Sequence, residues 1–133
     1  MNRSRILFTG GSGLLGSEFR KILPDINYPS SKEFNVTDYY QMKQYMELHG
    51  CDLIIHAAAF TSPPLIDKDP LKALEINIVG TSSVVKLCME FDVWLIYIST
   101  DYVFKGDKGN YKETDPVYPV NKYAWSKLGG ECA

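Results

Sequence analysis

Cysteine is scarce here and spaced so that it can do little. The 133-residue sequence holds three, Cys51, Cys88 and Cys132, an odd number, far apart and without Cys-x-x-Cys spacing. That excludes a disulfide framework and a cysteine-ligated metal, and leaves reduced thiols as expected of a cytosolic domain. An excess of positive charge is also missing. Lys and Arg number 14 against 16 Asp and Glu, for a net charge of -2, so no basic stripe is available for nucleic acid and no polybasic patch for a bilayer. No long apolar run is present near the start: Ile6-Leu7-Phe8 follows Arg3 and Arg5 but breaks at Thr9-Gly10-Gly11, too early for a signal peptide or a membrane span. A cytoplasmic location is therefore expected, with neither nucleic acid nor membrane as partner. Repeats, low-complexity tracts and flexible linkers are lacking as well. The chain reads as a single domain, long enough to withdraw about two thirds of its unfolded surface from water.

What is present begins with Thr9-Gly10-Gly11-Ser12-Gly13-Leu14-Leu15-Gly16, directly after the apolar run. A buried strand must end there, the backbone must turn without side chains so that a pyrophosphate can approach, and a helix must start with free N–H groups facing the anion. The glycines satisfy G-x-G-x-x-G at Gly11, Gly13 and Gly16 and G-x-x-G-x-x-G at Gly10, Gly13 and Gly16. Strand before and helix after supply the context that the motif needs.

Downstream, two hydrophobic periods alternate as in a parallel α/β sheet covered on both faces. The pattern predicts strands over residues 5–9, 53–56 and 94–98, with a weaker one over 26–28. Helices are predicted over 14–23, stopped by Pro24, over 38–49 with Asp38 as N-cap and Gly50 just past the end, over about 71–91, and from near Asn121 onward. Residues 61–69 and 105–120 read as long loops.

A second constellation lies at the carboxyl end of the strand over 94–98, where ligands of open α/β sheets bind. Ser99-Thr100-Asp101 ends that strand, and Tyr123-Ala124-Trp125-Ser126-Lys127 lies on the last helix. Tyr123 and Lys127, four residues apart, share one helix face. A cationic Lys127 near Tyr123 is expected to favour the phenolate and lower the phenol's pKa from about 10 towards neutrality, while Thr100 offers a hydroxyl to a substrate oxygen.

With these motifs in view, the chain resembles the extended short-chain dehydrogenase/reductases, and within them the dTDP-4-dehydrorhamnose reductase-like branch. The Gly10, Gly13, Gly16 spacing is that superfamily's variant of the turn. The likeness runs through essentially the whole chain: Ala57-Ala58-Ala59, Asn77 within Glu75-Ile76-Asn77-Ile78-Val79-Gly80-Thr81, Ser99-Thr100-Asp101-Tyr102-Val103-Phe104, and the run from Tyr111 through Tyr123, Lys127 and Glu131. The resemblance implies a Rossmann-like doubly wound parallel sheet in three α/β/α layers. It implies Thr100, Tyr123 and Lys127 as catalytic residues: Tyr123 protonating the sugar C4 oxygen, Lys127 holding the nicotinamide ribose, Thr100 bonding the keto oxygen. The implied reaction is NADPH-dependent reduction of a dTDP-4-keto-6-deoxy sugar. The implied cofactor contacts are Gly10, Gly13, Leu14, Leu15, Gly16, Asn35, Val36, Ala57, Ala58, Ala59, Asn77, Ser99, Tyr123 and Lys127. Asn35 departs from the family pattern, which has Asp there.

The predicted second strand leads into Tyr28-Pro29-Ser30-Ser31-Lys32, with no acid placed to favour NAD, so NADPH is preferred over NADH, with Ser31 and Lys32 as phosphate contacts. His56 is expected to pack or hydrogen-bond structurally, Trp94 and Trp125 to be core or interface aromatics, and Asp67-Lys68-Asp69 to be a solvated charge run. Extended members of the family are about twice this length, with a further lobe for the nucleotide sugar. The chain is accordingly expected to be the cofactor-binding half, over residues 1–133, of a longer reading frame, or to pair with itself or with a partner chain supplying that lobe. Two alternatives stand beside the reductase: a non-catalytic NADP(H)-binding regulatory module, and a nucleotide-sugar epimerase or dehydratase, which the Ser99 to Phe104 segment disfavours.

Overall fold

A computed structural model describes residues 2–133. Three strands form its sheet: β1 (Ile6–Thr9), β2 (Leu53–His56) and β3 (Trp94–Tyr97), all parallel, in the order β1-β2-β3. The register pairs Ile6 with Leu53 and Trp94 at one end, and Thr9 with His56 and Tyr97 at the other. Alternation along the strands sends side chains to opposite faces. Leu7 and Ile54 join Met42 and Met46 of α2 (Tyr39–His49) and Val84 and Leu87 of α5 (Thr81–Phe91) in one core. Phe8 and Ile55 face the other way, with Ile26, and pack on Phe19 and Leu23 around α1 (Leu14–Ile22). Helices therefore cover both faces, giving the three-layer α/β/α arrangement expected of a Rossmann-like sheet.

Local chemistry sets the ends of these elements. Asp38 caps α2 by accepting from the Gln41 N–H at 3.1 Å, and Gly50 follows with a φ of 59°. Asn121 caps α6 (Lys122–Glu131) by accepting from the Ala124 N–H at 2.8 Å. The loop over 105–120 returns against the 3₁₀ turn Asp101–Val103: Tyr118 N–H donates to the Val103 carbonyl at 2.7 Å and Tyr111 stacks on Phe104.

The structure departs from expectation in three places. The weak strand over 26–28 is a single bridge between Asn27 and Leu7, because Pro29 has no N–H with which to extend a ladder; three laddered strands stand where four were expected. The segment over 61–69, read as a loop, contains α3 (Pro63–Lys68), whose two prolines occupy the first turn, where a missing N–H costs nothing. The single helix expected over 71–91 is a rod of three parts: α4 (Pro70–Ala73), a π-helical segment (Leu74–Gly80) and α5. The wider turn carries Asn77 onto the Phe60 backbone and Ser126.

β3 is the edge strand, and Trp94 is 77% exposed on the face that α1 covers elsewhere. Trp125 is exposed on α6. Among the described residues no helix is long and apolar enough to cross a membrane.

The join between β1 and α1 has no room to spare. A Cβ on Gly16 would lie 2.5 Å from Gly11 Cα and 2.6 Å from the Gly10 oxygen, so backbone would have to move. Gly16→Ala should destabilise by about 2 kcal/mol, more than the roughly 1 kcal/mol that alanine gains within a helix. Gly109→Ala, where a Cβ meets nothing within 4 Å, should stay within about 0.5 kcal/mol of the parent. Urea unfolding of both variants checks the contrast.

Candidate active site

The carboxyl ends of β1, β2 and β3 open onto one cleft of about 760 Å³. Its floor is the glycine turn. Gly13 N–H donates to the Gly10 carbonyl at 3.0 Å, Gly10 has a φ of 75°, and a Cβ there would stand 2.8 Å from Ala58 N. Gly13 caps α1 without a side-chain hydrogen bond, so the first N–H groups of the helix stay free for an anion at the positive end of its dipole. A backbone cradle that a Cβ would fill, at a helix start without a side-chain cap, fits a dinucleotide pyrophosphate.

Of the residues expected at the site, Gly10, Gly13, Leu14 and Leu15 line the cleft from the turn. Ser31, Asn35 and Val36 line it from the segment after Asn27, Ala57, Ala58 and Ala59 from the end of β2, and Ser99, Tyr123 and Lys127 from β3 and α6. Four others lie off its wall. Gly16 is buried beneath the turn. Lys32 is exposed outside the cleft, its carbonyl accepting from Gln41 Nε2 at 3.0 Å. Asn77 is buried, bonded to Phe60 N–H (2.7 Å), the Phe60 carbonyl (2.9 Å) and Ser126 Oγ (2.9 Å). Since Ser126 Oγ also donates to the Tyr123 carbonyl at 2.7 Å, Asn77 clamps the helix that carries Tyr123 and Lys127. Thr100 caps the 3₁₀ turn by accepting from Tyr102 N–H. Asn35 acts as an acceptor, its Oδ1 taking the Thr37 N–H at 3.1 Å and the Thr37 hydroxyl at 2.9 Å.

Behind the cleft lies a row of polar side chains that no local pattern in the chain connects. Thr9, His56 and Tyr97 share one register row. Thr9 Oγ1 accepts from the N–H groups of Ala57 (3.2 Å) and Ala58 (3.1 Å), so its own hydrogen goes to His56 Nδ1 at 2.8 Å. That leaves the His56 proton on Nε2, donating to Thr81 Oγ1 at 3.1 Å. Burial, reinforced by the charge of Lys127, pushes His56 down to about 3, so the ring is neutral. Its role is the structural one expected. Tyr97 completes the row, its hydroxyl donating to the Lys127 carbonyl at 3.2 Å and its ring lying 4.1 Å beneath the Lys127 ammonium.

Lys127 is 2% exposed. Burial lowers its pKa to about 8, with Glu131 pulling upward, and the Tyr97 ring face offsets part of the desolvation. Tyr123 does not show the lowering expected from Lys127. Burial holds its phenol above the ordinary value, with the Thr100 hydroxyl pulling the other way, because the ammonium sits over Tyr97.

Arg20 and Ser30 also line the cleft and were not expected. Arg20 could have been found from helical periodicity, since Gly13, Gly16 and Arg20 recur on one face of α1.

Two stability signatures follow. The buried His56 must stay neutral while the unfolded ring takes up a proton near 6.5, so stability should fall by about 1.4 kcal/mol per pH unit from this residue as pH drops from 6.5 towards 3. Lys127 is charged in both states below about 8 and bears its full burial cost there; stability should rise as pH climbs from 8 towards 10.5, where the unfolded side chain also loses its proton. Lys127→Met should therefore melt higher than the parent at pH 7, with the gap closing towards pH 10.5 in thermal scans.

Known proteins share this architecture. A family model described as RmlD substrate binding domain matches residues 4–133. The chain is 33% identical over 138 residues to a dTDP-4-dehydrorhamnose reductase of Mycobacterium tuberculosis, covering 97% of this chain and 45% of that protein. It is 31% identical over 140 residues to methionine adenosyltransferase 2 subunit beta of Pongo abelii, covering 97% and 42%. The crystal structure of dTDP-4-dehydrorhamnose reductase from Bacillus anthracis in complex with NADP superposes with a TM-score of 0.90 at 34% identity, over 96% of this chain and 48% of that one. The chain thus spans about half the length of the relatives it matches. With that model matched almost from end to end, and with these reductases at such identity, the chain belongs to the RmlD substrate binding domain family.

Proposed function

We propose that residues 1–133 form the cofactor-binding and proton-donating part of an NADPH-dependent reductase of a dTDP-4-keto-6-deoxy sugar. One observation carries this reading: Tyr123 and Lys127, on one face of α6, open into the same cleft as the glycine turn. The reductases named above, one of them in complex with NADP, support the substrate class and the cofactor.

The turn and the start of α1 would hold the pyrophosphate, Asn35 and Val36 the adenosine, and the Lys127 ammonium the ribose next to the nicotinamide. When bound, NADPH supplies a hydride to the sugar C4 carbon. The chain's own task is the proton. The Tyr123 phenol, which burial pushes above its ordinary value, carries its proton at neutral pH, as a donor to the C4 oxygen must in the reducing direction. Thr100 Oγ1 makes a long 3.4 Å contact to Asp101 and its hydroxyl bears on the Tyr123 phenol, so it stands where it can donate to the same C4 oxygen. Lys127 adds positive charge where negative charge develops, and the Asn77–Ser126 clamp fixes the helix that aims both residues.

A second reading, a dinucleotide-binding subunit that acts on a partner enzyme, is favoured by the likeness to methionine adenosyltransferase 2 subunit beta. Turnover separates the two. Tyr123→Phe should lower the oxidation of NADPH by a dTDP-4-keto-6-deoxy sugar by about a hundredfold or more, with NADPH affinity within about twofold of the parent by calorimetry. Retained turnover in the variant would overturn the role of Tyr123; turnover in the parent would overturn the subunit reading.

A further inference from the structure

In a Rossmann unit the adenosine ribose is read just past the second strand, by an acid for a 2′-hydroxyl or by a nearby arginine for a 2′-phosphate. Both residue types occur in this part of the cleft, and the structure treats them differently. Contrary to the expectation that no acid is placed to favour NAD, Glu33 directly follows Lys32 and is about as far beyond the glycine turn as such an acid should be. Its carboxylate is turned back onto its own loop, where Oε2 accepts from the Ser30 N–H at 2.8 Å and the Ser30 hydroxyl at 2.7 Å. Those bonds hold Glu33 below the usual carboxylate range.

Arg20 is arranged in the opposite sense. It reaches from α1 across the turn: Nε donates to the Gly11 carbonyl at 3.2 Å and Nη2 to the Tyr28 carbonyl at 3.3 Å. The guanidinium carbon lies over the ring of Tyr28, the residue that follows the Asn27 bridge, 4.2 Å from its centre. Two of its five N–H groups are thus anchored to backbone and three remain. Among the described residues no carboxylate lies within ion-pair distance of it. Ser31 lines the same end of the cleft, and Lys32 does not.

We propose that Arg20 is the residue that selects NADPH over NADH, its anchored guanidinium taking the 2′-phosphate with the Ser31 hydroxyl beside it. A planar fork anchored to backbone and held over an aromatic ring loses little freedom when it binds a phosphate bidentately. The pyrophosphate falls to the free N–H groups at the start of α1. This assignment rests on the reading that the cleft holds NADPH.

Calorimetric titration of the chain with NADPH, NADH and 2′,5′-ADP tests it in the parent, Arg20→Met and Lys32→Met. Arg20→Met should weaken NADPH and 2′,5′-ADP by roughly tenfold or more, as expected for lost charge-assisted bonds. Its NADH affinity should stay within about twofold, which also shows that the variant is folded. Lys32→Met should leave the NADPH affinity unchanged. Equal losses of NADPH and NADH in Arg20→Met would overturn the proposal by assigning the guanidinium to the pyrophosphate or to the turn. Unchanged NADPH affinity in that variant, or a selective loss in Lys32→Met, would overturn it as well. A parent chain that binds neither cofactor would bring down the NADPH reading itself, whereas a parent that binds NADPH beside an indifferent Arg20→Met would bring down only the role of Arg20.

Discussion

The packing of α1 on the turn that precedes it is the constraint on which the cleft depends. Gly16 sits so close to Gly10 and Gly11 that no side chain fits between them, and this contact holds the start of the helix at the ends of the strands. Three consequences share that one approach. The free N–H groups of the first turn face the cleft, Gly10 stands against Ala58 so that the end of β2 forms its next wall, and Arg20, on the same face of α1 as Gly16, can reach Gly11 and Tyr28. A dinucleotide site here is largely a matter of backbone shape, with side chains added at its two ends.

At the α6 end the site is bought with buried polarity. Lys127 holds a charge at 2% exposure and His56 a ring that burial keeps neutral, which are unfavourable placements for a domain of this size. The structure answers with the Tyr97 ring face beneath the Lys127 ammonium and with hydrogen bonds for its neighbours. Among the described residues no buried side-chain nitrogen or oxygen lacks a partner. The amide of Asn77 uses its oxygen and both its hydrogens on Phe60 and Ser126, as a fully connected network should.

Much of this was legible in the sequence, and the parts that were not share a cause. The glycine turn, the cap Asp38, the helix start near Asn121 and the strands led by Ile6, Leu53 and Trp94 are local signals, since each depends on neighbours within a few residues. The pairing of Tyr123 with Lys127 in one cleft was legible for the same reason, being one helix turn. What escaped depends on contacts between distant segments. The segment at Asn27 has the composition of a strand but a proline two residues on, so only one bridge forms. The π-helical segment answers to Phe60 and Ser126, which no window around Asn77 reveals. Lys32 was the obvious cation beside Ser31, yet the chain turns it out of the cleft while Arg20 crosses from another element. The expected effect of Lys127 on Tyr123 gave way to the Tyr97 ring, whose approach is fixed by strand register.

That register has a consequence for how the sheet assembles. β1, β2 and β3 are short apolar runs, and such runs can pair one residue out of step at little cost in hydrophobic area. A slip of one residue in β3 would turn Tyr97 to the opposite face and bring Ile96 or Ile98 towards Thr81 and the neutral His56 ring. Lys127 would then lose the aromatic face beneath its charge and, at its carbonyl, the Tyr97 hydroxyl. The polar row of Thr9, His56 and Tyr97 thus marks the register: only the in-step alignment of the three strands brings these side chains into one row.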